Sequence, residues 1–509
     1  MDAEKIPIPC PSFIDAHVEK GESHEIGQAK PPFSALTIMA MATILMATWE
    51  ALSTTMVSGL MSGGPSSLVY GFLFALCGAT ATAASLGELT SMWPTSGGQY
   101  HFIAKLAPNN CRYFLSWVTG WISTFGWVAF TASAPFLSAT MIQGIITLDD
   151  LSYNPQRWHG TFIYWGLLVA SMGINVWGPR VITLVEAFSL LIHVLAFIVL
   201  FIVMWVVAPE RHTASFVFIT FQNNSGWSND GVAWCIGMLS SCYVLTGYDG
   251  AIHLCEGMKT PETAVPWCML GSLAINGALG FTFLMGILFC MGDLTTALNT
   301  PTGYPIIKIF NYITSSKAAG TAMTCVLVTV AGLSTIPLMA SSARMLACLA
   351  RDKAFPFSSK LSNVDSKTGI PRAAVVTLTG FLALLGFVNI GSTTAFNAII
   401  SLAVFALQMS YLIPIAFMVW RRLFYREMLT YGPWRLGRMG LSTNLASLIY
   451  LISTCIWLPF PPYLPVTAVN MNYACLVFGV VLISSLIYWL WKGRRYYEGP
   501  IMQASISAE

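Results

Sequence analysis

Hydrophobic stretches long enough to cross a lipid bilayer recur along almost the whole chain. A membrane helix rises about 1.5 Å per residue and needs about 20 apolar residues to cross about 30 Å of hydrocarbon. Twelve stretches approach this length, and they are numbered here span one to span twelve. They lie near residues 34–61, 67–88, 113–141, 161–178, 181–207, 231–254, 265–291, 320–343, 373–390, 394–419, 443–462 and 471–491. The pattern predicts an all-α membrane protein with 12 transmembrane helices.

Span six carries polar residues where a lipid-facing helix carries hydrocarbon. Gly247, Asp249, Gly250 and His253 all fall within its second half. A charged carboxylate at membrane depth costs about 2.5 to 3.5 kcal/mol, so it normally faces the bundle interior or a watery cavity. The two glycines favour a break in the helix, and broken helices build the substrate sites of many transporters. The alternative is a kink whose polar groups satisfy one another.

Span one has a similar polar interruption, from Thr48 to Thr55. Interruptions at corresponding positions of two five-helix halves indicate an inverted repeat with a shared central site. We therefore expect a first repeat at 34–207, an inverted second repeat at 231–419 and two extra helices within 443–491. Cytoplasmic tails are expected at 1–33 and 492–509.

Composition supports a membrane location and excludes several other classes. Only 9% of the 509 residues are charged, against about 25% in soluble domains. The net charge of +3 does not favour a nucleic-acid partner. Twelve scattered cysteines without a CxxC pair predict neither a disulfide framework nor a metal site. The chain also lacks the HExxH, GxSxG and P-loop patterns, so we expect neither an enzyme, nor a cofactor, nor a pump driven directly by ATP.

The distribution of basic residues predicts the orientation. If the N-terminus is cytoplasmic, the outer loops contain only four basic residues, Arg157, Arg211, Lys308 and Lys317, and the others lie inside. Both termini are then cytoplasmic. We expect the plasma membrane, with the vacuolar membrane or another endomembrane as the alternative. The sequon at Asn223 falls in an outer loop and is a candidate glycosylation site, although a single sequon also arises by chance.

Four motifs carry a resemblance to a known family. They are SGGP at 62–65, SLGELTSMWPTSGGQY at 85–100, TGYDGAIHLCEG at 246–257 and SSARMLACLARDKAFPFS at 341–358. With them, residues 33 to 495 resemble the amino acid, polyamine and organocation transporter superfamily, particularly its fungal amino-acid/choline permease branch. The resemblance implies the LeuT-type fold of five plus five inverted helices with two more. It also implies alternating access around a site between spans one and six.

Carried over residue by residue, the resemblance implies a substrate site in the two interrupted segments. Its residues are Ala47, Thr48, Trp49 and Glu50 of span one and Tyr243, Gly247, Tyr248 and Asp249 of span six. Many bacterial relatives have a Gly-x-Gly in span one, whose bare amides bind a carboxylate, whereas side chains fill that place here. The aromatic rings and the two carboxylates instead predict a pocket for a cationic amine. The alternative is that Trp49 and Tyr243 only pack between helices.

His193 in span five aligns with a lysine of some bacterial proton-coupled relatives. Histidine changes its charge between an acidic exterior and a neutral cytosol, so the resemblance implies a proton-coupling role for His193, with Asp249 as a second candidate. The alternative is a hydrogen bond between helices without any coupling role. For Glu186, two turns earlier on the same span, we expect a structural or gating role.

The inner ends of spans two and eight carry the remaining charges of interest. The resemblance implies an inner gate of ion pairs among Glu88, Arg344, Arg351 and Asp352. A solvated cluster that only serves the positive-inside rule is the alternative.

The predicted function is secondary active transport, coupled to protons, of a small nitrogenous solute such as an amino acid, γ-aminobutyrate, choline or a related amine. One alternative is a pathway-associated permease for an amine-like secondary metabolite or its precursor. Another is a nutrient receptor that does not transport. The expected partners are the small-molecule substrate, protons and the lipid bilayer.

Overall fold

The computed structural model describes residues 34–501 except 151, 392 and 469. Within this part of the chain, eleven helices are long and apolar enough to cross a membrane. Spans two to five and seven to twelve are the helices Gly64–Met92, Arg112–Asp149, Arg157–Trp177, Pro179–Val207, Pro261–Cys290, Lys317–Arg351, Arg372–Gly391, Thr393–Phe424, Gly440–Trp457 and Ala474–Tyr488. The predicted all-α membrane class is confirmed.

Span one is broken into the helices Ala35–Met46 and Thr48–Thr55. The break lies at Ala47, whose φ of 39° is in the left-handed region that a residue with a Cβ rarely adopts. A further short helix, Val57–Met61, follows. The polar interruption predicted from the sequence is therefore a real break in the helix.

Span six is the span that is absent from these eleven helices, and it consists of three short helices. These are Asp230–Gly237, Leu239–Val244 and Gly250–His253. Gly247, with a φ of 107°, lies in the non-helical stretch between the second and third helices. None of these three helices is long enough to cross a membrane by itself. The described part of the chain therefore has eleven helices of membrane-spanning length, whereas the sequence pattern predicts twelve spans.

Local chemistry explains several helix boundaries. Span four ends at Gly178, which has a φ of 123°, and span five begins at Pro179. A glycine tolerates the positive φ after a helix, and a proline needs no hydrogen-bond acceptor at a first helical position. The side chain of Ser316 caps span eight by accepting from the backbone N–H of Ala319.

Short elements connect or follow the spans. The helices are Gln99–Leu106, Ala214–Phe218, Leu294–Leu298, Pro305–Thr314, Ser358–Leu361 and Arg494–Tyr496. The 3-10 turns are Cys255–Gly257, Arg426–Met428 and Gly437–Met439, and Trp489–Gly493 forms a π-helical turn. Strands β1 (Ser62–Gly63) and β2 (Gln222–Asn223) pair antiparallel, which ties the end of span one to the segment before span six.

Spans eight and ten pack along span three, and span seven packs along span two. Span three is largely buried, whereas span five buries only one stripe and exposes the rest of its apolar surface. Helices in a membrane approach closely where small residues line the contact. Gly78 of span two is such a residue, because a Cβ there would lie 2.1 Å from Cγ of Tyr450 in span eleven.

We predict that Gly78→Ala destabilises the protein, because the added methyl group overlaps the buried ring of Tyr450. Overpacking of this kind costs about 1 to 3 kcal/mol. The measurement is the temperature at which the purified protein aggregates in detergent, followed by size-exclusion chromatography. Gly380→Ala in span nine is the matched control, since no atom lies within 4 Å of its added Cβ. Equal temperatures for the two variants would contradict the packing described here.

Candidate functional site

The broken segments of spans one and six are bonded to each other and to span seven. The hydroxyl of Thr48 donates to the carbonyl of Val244 at 2.7 Å, and the N–H of Thr48 donates to Oδ1 of Asn276 at 3.2 Å. The Asn276 amide also donates to the carbonyl of Thr43 at 3.0 Å. These side chains replace helical hydrogen bonds that the breaks remove, as a membrane interior requires.

Gly247 is required at the break in span six for two reasons. Its φ of 107° is unfavourable for any residue with a Cβ. A Cβ there would also lie 2.6 Å from Leu45 and 2.7 Å from Phe130. Spans one, three and six therefore meet at this glycine.

A small cavity lies beside the two breaks, between spans one, three, six and eight. Its volume of about 20 Å³ leaves room for about one water molecule. The lining residues are Leu45, Met46, Ala47, Ala51, Thr54, Phe130, Ala134, Leu137, Tyr243, Ala331, Ser334 and Leu338. Two of the residues predicted for the substrate site, Ala47 and Tyr243, are among them.

Tyr243 contributes the one phenol ring of the cavity lining. Its hydroxyl lies 2.6 Å from Oγ of Ser133 in span three. Its ring meets the ring of Phe130 edge to face, with centroids 5.6 Å apart at 82°. The hydrogen bond and the ring contact hold an aromatic wall between spans three and six.

Glu50 and His193 form a buried pair outside the cavity. Oε1 of Glu50 lies 2.7 Å from Nδ1 of His193, and both side chains are fully buried. Oε2 of Glu50 and Nε2 of His193 have no hydrogen-bond partner among the described residues. The pair therefore joins span one to span five and leaves an unsatisfied atom on each partner.

Trp49 packs beside this pair and does not line the cavity. Its ring centroid lies 5.8 Å from that of His193 and 4.8 Å from that of Phe283. The ring of Trp49 therefore packs between spans five and seven. Glu186 lies on the same buried stripe of span five as His193, and neither of its carboxyl oxygens has a partner within the described chain.

Asp249 is fully buried at the end of the break in span six and is surrounded by donors. Tyr411 OH donates to Oδ1 at 2.6 Å. Oδ2 accepts from the Gln99 amide at 2.8 Å and from the Trp127 indole N–H at 3.3 Å. Nε2 of His253 lies 3.6 Å from the same oxygen. The carboxylate therefore connects spans three, six and ten with the helix Gln99–Leu106.

The residues predicted for the cation pocket lie in several separate places. Ala47 and Tyr243 line the cavity, and Thr48 and Gly247 hold the breaks beside it. Glu50 faces span five instead. Tyr248 packs against Tyr411, with ring centroids 5.8 Å apart, and Asp249 accepts hydrogen bonds from protein donors. The two carboxylates belong to separate clusters, because Glu50 contacts span five whereas Asp249 contacts spans three and ten.

The sequence reasoning missed the walls that spans three and eight contribute. Phe130, Ala134 and Leu137 of span three and Ala331, Ser334 and Leu338 of span eight complete the cavity. Gln99, Trp127 and Tyr411 were missed in the same way as partners of Asp249. The tryptophan and tyrosine lie in continuous apolar helices, where no local pattern distinguishes them from core residues.

The inner ion pairs differ from the predicted ones. Glu88 bonds to Arg422 and accepts from the backbone N–H of Leu436 at 3.0 Å, because the loop between spans ten and eleven folds against span two. Arg351 pairs with Glu256 at 3.1 Å. Glu88 and Arg351 therefore pair with residues other than those predicted, and Glu88, Arg344 and Arg351 all lie in helices.

Asp352 was also expected in those pairs and has other partners. It accepts from Tyr100 OH at 2.6 Å, lies 2.9 Å from Nε2 of His101 and accepts from the N–H of Ile501 at 2.9 Å. Burial, together with the charge of Asp352, raises the pKa of Tyr100 well above its ordinary value, so its hydroxyl stays protonated as a donor. Cys348 brings a third metal-capable atom within 4.8 Å of those of His101 and Asp352. Their mutual hydrogen bonds account for this arrangement.

Asn223 lies in strand β2 rather than at an open loop tip. Its amide nitrogen donates to the carbonyl of Trp227 at 2.7 Å and to Asp230 at 3.0 Å. Ser225, the third residue of the sequon, is buried and its hydroxyl donates to Oδ1 of Asn223 at 2.7 Å. A glycan at Asn223 would break these bonds, so the geometry argues against its use, and glycosylation stays a prediction.

Comparison with known proteins identifies relatives along almost the whole chain. The profile of the family described as "Amino acid permease" matches residues 33–481. A choline transporter of Saccharomyces cerevisiae is 30% identical over 94% of this chain and 84% of its own length. A putative amino acid/polyamine transporter of Macrophomina phaseolina is 32% identical over 84% of this chain and 95% of its own. Amino-acid permease 2 of Neurospora crassa is 29% identical over 93% and 86%, respectively.

These matches agree with the broken helices, the small cavity beside them and the four motifs found in the sequence. They support a carrier of small molecules and not an enzyme. The protein is a multi-pass membrane transporter, and it belongs to the amino acid permease family.

Proposed function

We propose that this protein is a proton-coupled importer of a small nitrogenous solute, in the class of amino acids, γ-aminobutyrate, choline and related amines. The names of the choline transporter and the amino-acid permease among its relatives support this substrate range. The observation that carries the proposal is the position of the helix Thr48–Thr55. One face of this helix lines the cavity, and another holds Glu50 against His193.

The two faces of this helix provide the coupling. Ala51 and Thr54 lie at the cavity, so a bound solute acts on the helix directly. Protonation changes the charge of the buried Glu50–His193 pair, so a proton acts on the same helix from the other side. A ligand shifts a conformational equilibrium only through its different affinity for the two states. Because both ligands bias one short helix, each alters the affinity for the other.

The atom that receives the driving proton is Nε2 of His193. With Glu50 ionised, Nδ1–H of the neutral imidazole donates to the carboxylate, which leaves the lone pair of Nε2 as an acceptor. Nε2 has no other partner among the described residues. With the proton bound, an imidazolium and a carboxylate form an ion pair without net charge. Without the proton, the neutral imidazole and the ionised Glu50 leave one net negative charge buried.

The cavity chemistry favours a solute that carries a positively charged nitrogen. Tyr243 and Phe130 present rings to the cavity, and none of its lining residues is charged. The negative face of an aromatic ring attracts an ammonium group within about 6 Å. Opening of the cavity is required before a solute enters, because its present volume of about 20 Å³ holds little more than water.

Asp249 is proposed to position the helices around the site. Its oxygens accept hydrogen bonds from elements that an alternating-access motion would separate, including spans three and ten. A neutral amide would offer these donors one acceptor oxygen, whereas the carboxylate offers two. Asp249 remains the second candidate for the coupling proton.

The charge distribution supports cytoplasmic N- and C-termini, and we propose the plasma membrane as the location. With that orientation, the Glu88–Arg422 and Arg351–Glu256 pairs lie at the inner end of the bundle. We assign an inner-gate role to these pairs, because both join segments that border the same end. Arg344, whose guanidinium donates to the carbonyl of Ala340 at 3.4 Å, belongs to the same end of span eight.

The first prediction about transport concerns the ring of Tyr243. Tyr243→Phe should retain uptake of a radiolabelled quaternary or primary amine, because the ring face is kept. Tyr243→Ala should raise the half-saturating concentration at least fivefold, since cation–π contact contributes about 1 kcal/mol or more. The assay is uptake in transporter-deleted yeast with choline, γ-aminobutyrate, polyamines and the common amino acids. Equal affinities for the two variants would place the substrate nitrogen elsewhere.

The second prediction concerns His193. His193→Ala should abolish accumulation against a gradient and leave exchange of internal for external substrate, because binding persists while the proton acceptor is lost. Wild-type uptake should rise as the external pH falls, and the variant should lose this dependence. The measurement uses proteoliposomes with and without an imposed pH gradient.

Ser189→Ala is the control for His193→Ala, because Ser189 lies one turn away on the same buried stripe. It should keep the pH dependence. Full gradient-driven accumulation by His193→Ala would move the proton site to Glu186 or Asp249.

The third prediction concerns Asp249. Asp249→Asn should reach the membrane at normal levels while uptake falls at least tenfold, or about 1.4 kcal/mol. The reason is that the NH₂ group of the asparagine is itself a donor. It would face Gln99, Trp127 or Tyr411, which donate to Asp249 in the wild type. Asp150→Asn, in the exposed turn after span three, is the matched control and should transport normally. Normal uptake by Asp249→Asn would contradict the positioning role.

A further inference from the structure

A second cavity opens on the side of the bundle, away from the broken helices. It lies between spans three, eight and nine and the segment that links spans eight and nine, and its volume is about 790 Å³. That volume lies within the range of about 300 to 1,000 Å³ that small-molecule pockets occupy. Its walls are mostly apolar and include Phe125, Val128, Leu346, Val376 and Phe381. We call this cavity the lateral crevice.

The mouth of the lateral crevice carries positive charge. Lys360 and Arg372 are the two charged residues of its lining, and both are exposed. Arg372 pairs with Asp365 at 3.2 Å but keeps about half of its side-chain surface exposed. Residues 351–372 contain five lysines and arginines against two aspartates. The mouth of the lateral crevice therefore attracts anions, whereas its apolar walls accept hydrocarbon chains.

Phe357 is an exposed aromatic residue at this mouth. It lies in the linking segment, lines the crevice and is 79% exposed, with a left-handed φ of 57°. Aromatic side chains concentrate at the interface between hydrocarbon and headgroups. Lys360 follows three residues later, so the positive charge lies close to the ring in the sequence, in the segment that links spans eight and nine.

We propose that the lateral crevice binds an anionic phospholipid. Its acyl chain lies against the apolar walls of spans three, eight and nine, and its phosphate and anionic headgroup lie at Lys360 and Arg372. Basic pockets between membrane helices bind anionic headgroups, and each lysine or arginine near the surface adds to the attraction. The charge of the mouth selects an anionic lipid over a zwitterionic one.

The bound lipid contacts helices that also form the central cavity. Span three contributes Val128 to the lateral crevice and Phe130 to the central cavity. Span eight contributes Leu346 to the crevice and Leu338 to the cavity. The lipid site is independent of the proposed proton coupling, since it contains neither Glu50 nor His193.

The test is lipid binding to the full-length protein purified in detergent, measured by native mass spectrometry. The probes are phosphatidylserine, phosphatidylinositol and phosphatidylcholine with identical acyl chains. The wild type should retain the anionic lipids at least about fivefold better than phosphatidylcholine. Lys360→Ala should reduce this preference about fivefold. Val376→Trp should reduce binding of the anionic lipids by filling the crevice.

Lys367→Ala is the matched control, because Lys367 is an exposed lysine of the same segment that does not line the crevice. It should bind anionic lipid as the wild type does. Equal retention of phosphatidylcholine, or unchanged binding by both Lys360→Ala and Val376→Trp, would overturn the proposal. So would displacement of the lipid by equimolar inorganic phosphate, which would indicate a site for a soluble anion. Occupation of this face by a second copy of the chain would overturn it as well.

Discussion

The bilayer interior offers no water to an unpaired backbone group, and this constraint governs the centre of the molecule. Spans one and six can break at Ala47 and Gly247 only because protein groups replace the missing helical bonds. Thr48 bonds to the carbonyl of Val244, and Asn276 of span seven bonds to both sides of the break in span one. The two breaks therefore depend on each other, and the cavity exists where their ends meet.

The same constraint separates the charged groups into two clusters. An ionised carboxylate is costly to bury without a partner, because its desolvation costs several kcal/mol. Glu50 finds its partner in His193 of span five, and Asp249 finds its donors in spans three and ten. The cavity between them is left without a charged wall. In the proposed coupling, this division lets a solute and a proton act on one helix without direct contact between them.

Spans three and eight connect the inside of the bundle to its perimeter. Each contributes to the central cavity, to the lateral crevice and, near the linking segment, to the polar contacts at one end of the molecule. The segments at that end are held by ion pairs whose partners come from distant parts of the sequence, such as Glu88 with Arg422. The central cavity, the lateral crevice and these polar contacts therefore share two helices.

The sequence by itself determined the membrane class, the twelve spans, the two breaks and the family resemblance. Each of these depends on local information: apolar length, a run of polar residues, a glycine, or a contiguous motif such as the one around Asp249. Ala47 and Tyr243, two of the residues it predicted for a substrate site, line the central cavity. Only the tertiary structure decided that Glu50 faces His193, that Tyr411 and Gln99 hold Asp249, and that Glu88 pairs with Arg422. The physical reason is that hydrophobic periodicity shows how much of a helix is buried, whereas the partner of a buried charge is set by how helices far apart in the chain rotate against one another.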